Sequence, residues 1–575
     1  LCAVVFLVCE LVSWPFAEMP VCDDWSSIRT VQLLVQTGHI HYNGWEAPML
    51  GWQLFPAAAL LKLLGFSFTA CRITTLLTAA CMAFVMQRIF VRFGINERNA
   101  TIATLAVVLS PLYMPISVTF MTDLQGVFAM VICMYGCVRA LQTAADHETI
   151  GWLCFAVAGN AIFGTSRQIA WLGVLVMVPS TLWLLRDRRR ALIAGTTAWL
   201  MGCLFVAAAL HWYTLQPYSI PEHLAFEVHG VRDLGLMLRG LSGAFFELPC
   251  LILPLVVAYL TGLRKSTPRT LIVMAGGALL YGPVAWLIAS HQGREAILEP
   301  LLWDWVVPVG HYRIVLLASV GPIVLSYWFR VWFTLFATLT SLFAFAFILQ
   351  CKGWPNFESD VVLPSEALSW KQIGFLIVPF STAYFLLLVP RSATQMLDRY
   401  LMVLLFTLAL FLVRAYQDLV GPRLPAVTVV CLAIYAGYSI ACNHDMFSLY
   451  RARIQIANEV KAAGVPLNRL DGGFELNGWV ELQQTDHVND EHIVTPPGAY
   501  NPNPPPREFS CEGKPALNPG EKAFEKEFPH FQPQYAVGYD PTGCGGKAPF
   551  APVSYNRWLG KPGILYVVYF KPITR

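Results

Sequence analysis

Uninterrupted apolar runs recur from the first residue to about residue 442, and each is long enough to cross a bilayer as a helix, which takes about 20 residues. Within lipid every backbone N–H and C=O must be bonded inside the protein, which leaves only helices and closed barrels as spanning structures. The runs are continuous and do not alternate every second residue, so they select helices. At 56% hydrophobic and 13% charged residues, a chain of 575 residues is too apolar for a soluble multidomain enzyme. The net charge of +3 is small and its basic residues are scattered, which excludes a nucleic-acid binder. The 18 Trp and 36 Phe suit interfacial belts and lipid-facing surfaces.

The hydropathy pattern predicts about 13 spans: 1–17, 73–91, 100–115, 124–141, 150–164, 169–185, 192–211, 244–262, 270–289, 313–349, 372–389, 400–414 and 426–442. The stretch 313–349 is either one bent span or a tight hairpin. The first run is followed by more spans and lacks a clear cleavage site, so it is expected to stay as a span or signal anchor. A loop at 18–72 holds two juxtamembrane helices, 24–37 and 49–64. From residue 443 the chain becomes polar and rich in Gly and Pro, with "NPNPPP" at 501–506 and a strand-like "GILYVVYF" at 563–570. The predicted organisation is a transmembrane domain over 1–442 and a C-terminal soluble domain of mixed α/β structure over 443–575. Of the 15 cysteines, only Cys511 and Cys544 lie in this tail, and they can pair if it faces an oxidising compartment.

Topology follows from charge. "RDRRR" at 186–190 marks a cytoplasmic loop, and "RKSTPR" at 264–269 agrees with it two spans later. Counting back puts Asp23 and Asp24 on the outer face, with 116–123, "GTSRQ" at 164–168 and the loop 212–243. Beyond residue 290 the side depends on whether 313–349 crosses once or twice.

The paired acids of "PVCDDWSSIRTVQ" have a plain reading as the cap and first turn of the helix beginning near Ser26. Asp123, at the mouth of the fourth span, also reads as a cap. Three carboxylates at one face are nevertheless costly near a membrane unless used or paired. With Glu46 and the loop histidines His211, His223 and His229 they form a candidate acid/base and metal-ligand set, although lone loop histidines are usually solvated. Arg29, Arg72, Arg167, Arg232 and Arg239 share that face, joined by Arg399 if its loop is external. Arginine offers bidentate geometry to phosphate, and snorkelling to headgroups is the ordinary alternative.

Several segments together resemble the opening of the membrane glycosyltransferases of the GT-C class, in particular the protein O-mannosyltransferase and aminoarabinose transferase (ArnT-like) families, glycosyltransferase 39/83-like. These are the acidic pair after the first span, the helix ending at "TGHI", "EAP", "GFSFTACRI", "LSPLYMPISVTFMTD" at 109–123, "SRQ" at 166–168 and "DRYLMVLLF" at 398–406. The resemblance implies a catalytic carboxylate at Asp23 or Asp24 and a supporting acid at Asp123. It implies a place near the carrier phosphate for Arg72, Arg399 and Tyr400, and a metal-holding acid at Glu46, with His223 as a further ligand candidate. Two family positions differ: Ala47 replaces a lysine and Ser26 an arginine, so Arg29 or Arg167 is expected to supply phosphate contacts.

The resemblance implies transfer of a sugar from a polyprenyl-phosphate donor to a glycan, lipid or protein hydroxyl, inverting the anomeric centre, with a divalent ion as an optional cofactor. The expected setting is the bacterial inner membrane with the site facing the periplasm. Rival readings are a lipid-linked sugar flippase or secondary transporter, which would carry its ionisable groups near the midplane, and a non-catalytic membrane scaffold.

Overall fold

A computed structural model describes residues 1–45, 50–220, 230–279, 304–317, 319–350, 367–391, 396–503, 526–542 and 545–570. The chain is an integral membrane protein of helical architecture with a small C-terminal α/β unit. Its helices in order are α1 (Cys2–Ser13), α2 (Asp24–Thr37), α3 (Leu54–Leu64), α4 (Phe68–Arg92), α5 (Glu97–Val108), α6 (Tyr113–Ser117), α7 (Thr122–Gln142), α8 (Asp146–Phe163) and α9 (Val178–Leu184). They continue with α10 (Arg189–Thr214), α11 (Val231–Val256), α12 (Tyr327–Gln350), α13 (Trp370–Arg391), α14 (Met402–Leu419), α15 (Ala426–Ala462) and α16 (Phe474–Thr485).

Among the described residues nine helical stretches, not 13, are long and apolar enough to span. Three expected spans are shorter or broken, each for a local reason. Helix α1 stops when Trp14 turns left-handed at φ 52°. Helix α5 is held to 12 residues, between the cap that Asn96 makes with the Asn99 N–H and Pro111 three residues past its end. The run 168–184 opens into a wide turn at Gly173–Met177 because Asn160 inserts there. Its Nδ2 donates to the carbonyls of Ala129 and Ala170, and its Oδ1 accepts from the Val174 N–H. A Cβ on Gly173 would lie 2.5 Å from the Asn160 amide, so only glycine admits it. One short antiparallel ribbon, β1 (Val306–Val307) with β2 (Gly310–His311), precedes the stretch 313–349, which resolves into a second, β3 (Val315–Leu316) with β4 (Ser319–Val320), followed by the single helix α12. It therefore supplies one crossing. The expected span at 270–289 is described only to residue 279, where it is helical.

Close approach of α7 and α8 rests on small residues, as membrane helices require. A Cβ on Gly136 would meet Ala156 at 2.8 Å, and one on Gly159 would meet Ile132 at 2.8 Å. The helices define two ends. At one, Arg188 binds Asp146 and the carbonyls of Thr143 and Ala144, Arg92 binds Gln142, and Arg414 binds Asp418 and the Phe93 carbonyl. At the other lie Asp23, Arg72, Asp123, Arg167 and Arg399, at or beside the opposite termini of α2, α4, α7, α8 and α14.

The change in composition at residue 443 is not a break in the backbone. Helix α15 runs on to Ala462, 37 residues and about 56 Å at the standard rise, and its polar half carries the C-terminal unit. Buried Arg453 pairs with Glu475 at 2.7 Å and with the Gly472 carbonyl, while Tyr450 donates to the same carboxylate. The sheet of this unit, β5 (Leu470–Asp471), β6 (Tyr535–Gly538), β7 (Val553–Tyr555) and β8 (Gly563–Tyr569), has the order β5-β6-β8-β7 and is antiparallel except for β5 against β6. Trp25 of α2 is fully buried against Trp45, Phe474 and Phe528, which fixes the unit over the Asp23 end. Cys511 and Cys544 lie outside the described residues.

These contacts predict opposite sidedness for two loops. With native cysteines replaced, a cysteine introduced at exposed Val494 should label from the face opposite to one introduced at Asp187; labelling of both from one side would contradict the arrangement.

Candidate active site

The two adjacent acids point in different directions, Asp23 at the N-cap of α2 and Asp24 in its first turn. Cys22 sits at φ 51°, a left-handed conformation uncommon for a non-glycine residue. Asp24 turns inward and is fully buried: its Oδ1 accepts from the Val21 N–H at 2.8 Å, and its Oδ2 from Arg72 Nε at 2.8 Å and the Phe120 N–H at 3.4 Å. The rest of the Arg72 guanidinium is taken by the carbonyls of Ala17 and Met19. Arg72, expected near a phosphate, instead joins the exit of α1, the start of α2, its own helix and the segment before α7.

Asp23 keeps a partly open side chain, 17% exposed, and faces Arg399, whose Nη1 and Nη2 lie 3.3 and 3.4 Å from its Oδ2. Arg399 Nε lies 3.4 Å from Asp304 and 3.7 Å from Asp123. Asp123 also pairs with Arg167 at 2.5 Å. The Tyr400 ring lies under both guanidinium groups, 5.3 Å from that of Arg167 and 6.0 Å from that of Arg399. Gly126, one turn into α7, makes room for this: a Cβ there would press on the Arg167 side chain at 3.1 Å.

Asp23, Asp123, Arg167, Arg399 and Tyr400, separated by up to 377 positions, thus form one cluster. Arg29 is turned elsewhere, with Nη2 at 2.6 Å from Asp486 and Nη1 at 2.6 Å from Gln32, so it clasps the C-terminal unit. Arg232 and His211 are exposed. Glu46, His223 and His229 lie outside the described residues, as does the Arg239 side chain. Among the described residues no group of three or more His, Cys, Asp or Glu stands as a metal site.

Sequence reasoning missed three acids. Asp304 precedes β1, and burial pushes its carboxyl well above the ordinary range; Arg399 opposes this, while Asp398, Asp23 and Asp123 add to it. Asp398 Oδ2 accepts from the N–H groups of Trp305 and Val306 at 2.8 and 2.7 Å, which holds the Asp304 segment against the start of α14. Glu527, beside Phe528 on the Trp25 cluster, is pushed up to about 7 by burial and by the charges of Asp490 and Asp23. The signal for Asp398 was its place beside Arg399; lone Asp304 and Glu527 offered none.

No protein-family model matches the chain, and no curated protein does. Solved structures to which it is similar include ArnT from Cupriavidus metallidurans bound to undecaprenyl phosphate, at 15% identity and a TM-score of 0.41, covering 98% of this chain and 96% of that one. Another is the archaeal oligosaccharyltransferase AglB from Archaeoglobus fulgidus in complex with an inhibitory peptide and a dolichol-phosphate, at 12% identity and 0.40, covering 92% and 64%. A third is arabinosyltransferase EmbB from Mycobacterium smegmatis, at 13% identity and 0.33, covering 77% and 40%.

Two stability predictions follow from the geometry. Asp24→Asn leaves Arg72 buried and unbalanced, and should cost roughly 3–5 kcal/mol, read as a large fall in thermal midpoint in detergent; Asp23→Asn, at a partly open pair, should lower it far less. Glu527 keeps its proton in the folded chain up to about pH 7 but loses it near about 4.3 when unfolded. Its stabilising contribution is therefore full below about 4.3 and lost as pH rises through about 7. Glu527→Gln should remove that part of the decline, so that the variant gains on wild type as the midpoint is followed from acid to alkaline pH.

Proposed function

We propose that the chain transfers a sugar from a polyprenyl-phosphate donor to an acceptor hydroxyl, with Asp23 as the general base. The observation that carries this reading is the divergence of the acidic pair: Asp24 is consumed by internal contacts, whereas Asp23 remains partly open beside Arg399. An alcohol oxygen is a poor nucleophile until a positioned carboxylate takes its proton as the new bond forms. In one displacement the acceptor oxygen bonds to the anomeric carbon, its proton passes to Asp23, and the carrier phosphate leaves with the electron pair of the broken C–O bond. The configuration at that carbon is inverted.

The leaving phosphate is a weak base and needs no proton donor. It needs fixed positive charge where negative charge builds up, and charge held in a dry site counts for more than in water. Arg399 and Arg167 supply it, kept in place by Asp123, Asp304 and the Tyr400 ring. Arg72 and Arg29 are engaged elsewhere and are not part of this reading.

Arg92, Arg188 and the "RDRRR" run at the opposite end support a cytoplasmic location for that end, and hence an outward-facing site in a bacterial inner membrane. A cluster at helix termini also favours a surface reaction over the transporter reading, which calls for ionisable groups at the midplane.

The test is transfer by the purified chain from radiolabelled polyprenyl-phosphate sugars to an envelope-derived acceptor. Asp23→Asn should lower turnover roughly 10²–10⁴-fold with the fold intact, and the product should have the anomeric configuration opposite to the donor's. Full activity in that variant would overturn the role of Asp23, and retention of configuration would overturn the single displacement.

A further inference from the structure

A second cavity, of about 300 Å³, opens in the C-terminal unit between the end of α16 and the segments 487–501 and 529–532. That volume is at the lower bound of small-molecule sites, about 300–1,000 Å³. A smaller cavity beside His311 and Arg557 holds about 40 Å³, little more than one water.

The walls of the larger cavity define the chemistry of what fits. Among the described residues Glu481, Thr485, His487, Asn501, His530 and Gln532 line it with polar side chains, Ala499 and Pro529 with apolar ones, and none is Arg or Lys. Glu481 is buried and accepts from the His530 N–H at 3.1 Å and from His530 Nδ1 at 2.9 Å. With its proton on Nδ1, His530 presents Nε2 as an acceptor. His487 is fixed in the same way: Nδ1 donates to the Thr485 carbonyl at 2.8 Å, which leaves Nε2 as an acceptor. Tyr218, from the loop after α10, stacks on the His487 ring at 4.5 Å and 29° and is anchored by its own N–H on the Thr495 carbonyl. The result is a hydrophilic recess with two oriented imidazole acceptors, side-chain amides and a buried carboxylate. Among the described residues the wall offers a phosphate or acidic ligand no Arg or Lys, and seven of its nine lining residues carry polar side chains, which disfavours a prenyl tail. A neutral hydroxyl-rich ring, whose O–H groups both donate and accept, matches the set.

The cavity is also tied to the Asp23 cluster. Asn489, in its wall, donates from its backbone N–H to the Glu527 carbonyl and from Nδ2 to the Lys526 carbonyl. The Glu527 carboxyl is in turn within electrostatic reach of Asp23.

We propose that this cavity binds a neutral sugar unit, and that the unit belongs to a glycan acceptor held beside the residue being glycosylated. The second half of the statement rests on the transferase reading; the binding itself does not.

The test uses the full chain in a detergent without a sugar headgroup, and the methyl glycosides of glucose, mannose, galactose, arabinose and N-acetylglucosamine as probes, followed by saturation-transfer NMR and titration calorimetry. Methyl glucuronide and glucose 1-phosphate are the anionic comparisons. At least one neutral glycoside should bind, and both anions should bind roughly tenfold or more weakly, a difference of about 1.4 kcal/mol per tenfold. Ala499→Phe, which fills the recess without removing a hydrogen-bonding side chain, should weaken the neutral glycoside roughly tenfold or more. Gln532→Ala, an exposed site that leaves the recess open, keeps the test valid if the phenylalanine variant fails to fold, and should weaken binding less. In a transfer assay with a glycan acceptor, Ala499→Phe should raise KM and leave kcat unchanged. No binding by any neutral glycoside, equal or tighter binding of the anions, or unaltered binding in both variants would overturn the proposal. The Asp23→Asn variant separates the two readings: it should bind the glycoside as wild type does while failing to transfer, and full transfer by it would defeat the catalytic reading and leave the sugar site standing.

Discussion

The buried pair of Asp24 and Arg72 is the constraint on which the site depends. A carboxylate and a guanidinium removed from water are tolerated only when nearly every remaining donor and lone pair is used. Here the Val21 and Phe120 N–H groups and the Ala17 and Met19 carbonyls use them. Those partners come from the exit of α1, the turn into α2 and the segment before α7, so satisfying one ion pair fixes three pieces of chain. Asp23 and Asp123 then lie at adjoining helix starts, and Arg399 can reach both.

The spans were legible because continuous apolar runs have one structural solution in lipid. Helices α4, α7, α8, α10, α13 and α14 fall within a few residues of the expected positions. The count was not legible, since it turned on local events without a hydropathy signature: Asn160 entering the turn at Gly173, Trp14 turning left-handed, and one short ribbon, β3 with β4, at the start of 313–349. The acids and arginines were identified by type and face, but their division of labour was not. Arg72 and Asp24 are 48 positions apart and Arg29 and Asp486 are 457 apart, and a hydropathy pattern does not encode such pairings.

The C-terminal unit has the same logic in a different solvent. Leu470, Val480, Val537 and Leu565 belong to the same buried apolar core as the membrane helices, and aromatic and ionic contacts fasten the unit at further points. Trp25 buries itself among Trp45, Phe474 and Phe528, Arg29 clasps Asp486, and Arg451 donates to the carbonyls of Trp14 and Phe16. Each fastening ends within a few residues of the acidic pair. The unit is therefore a wall of the site and not a tethered appendage, which places Glu527 in electrostatic contact with Asp23 across a long sequence separation.

Arg399 explains how a carboxylate can remain available next to a guanidinium. A bidentate pair with one acid would be short, about 2.7–2.9 Å, and would hold that acid firmly. Arg399 instead reaches Asp23 only at 3.3 and 3.4 Å, while its Nε stands 3.4 Å from Asp304 and 3.7 Å from Asp123 without a hydrogen bond to either, so the hold on Asp23 is loose. Burial pushes the Asp304 carboxyl well above the ordinary range, so this acid competes weakly for the guanidinium. On the proposed reading, a donor phosphate arriving at Arg167 and Arg399 loosens the hold on Asp23 further, freeing its oxygen for the acceptor proton at the moment the donor is in place.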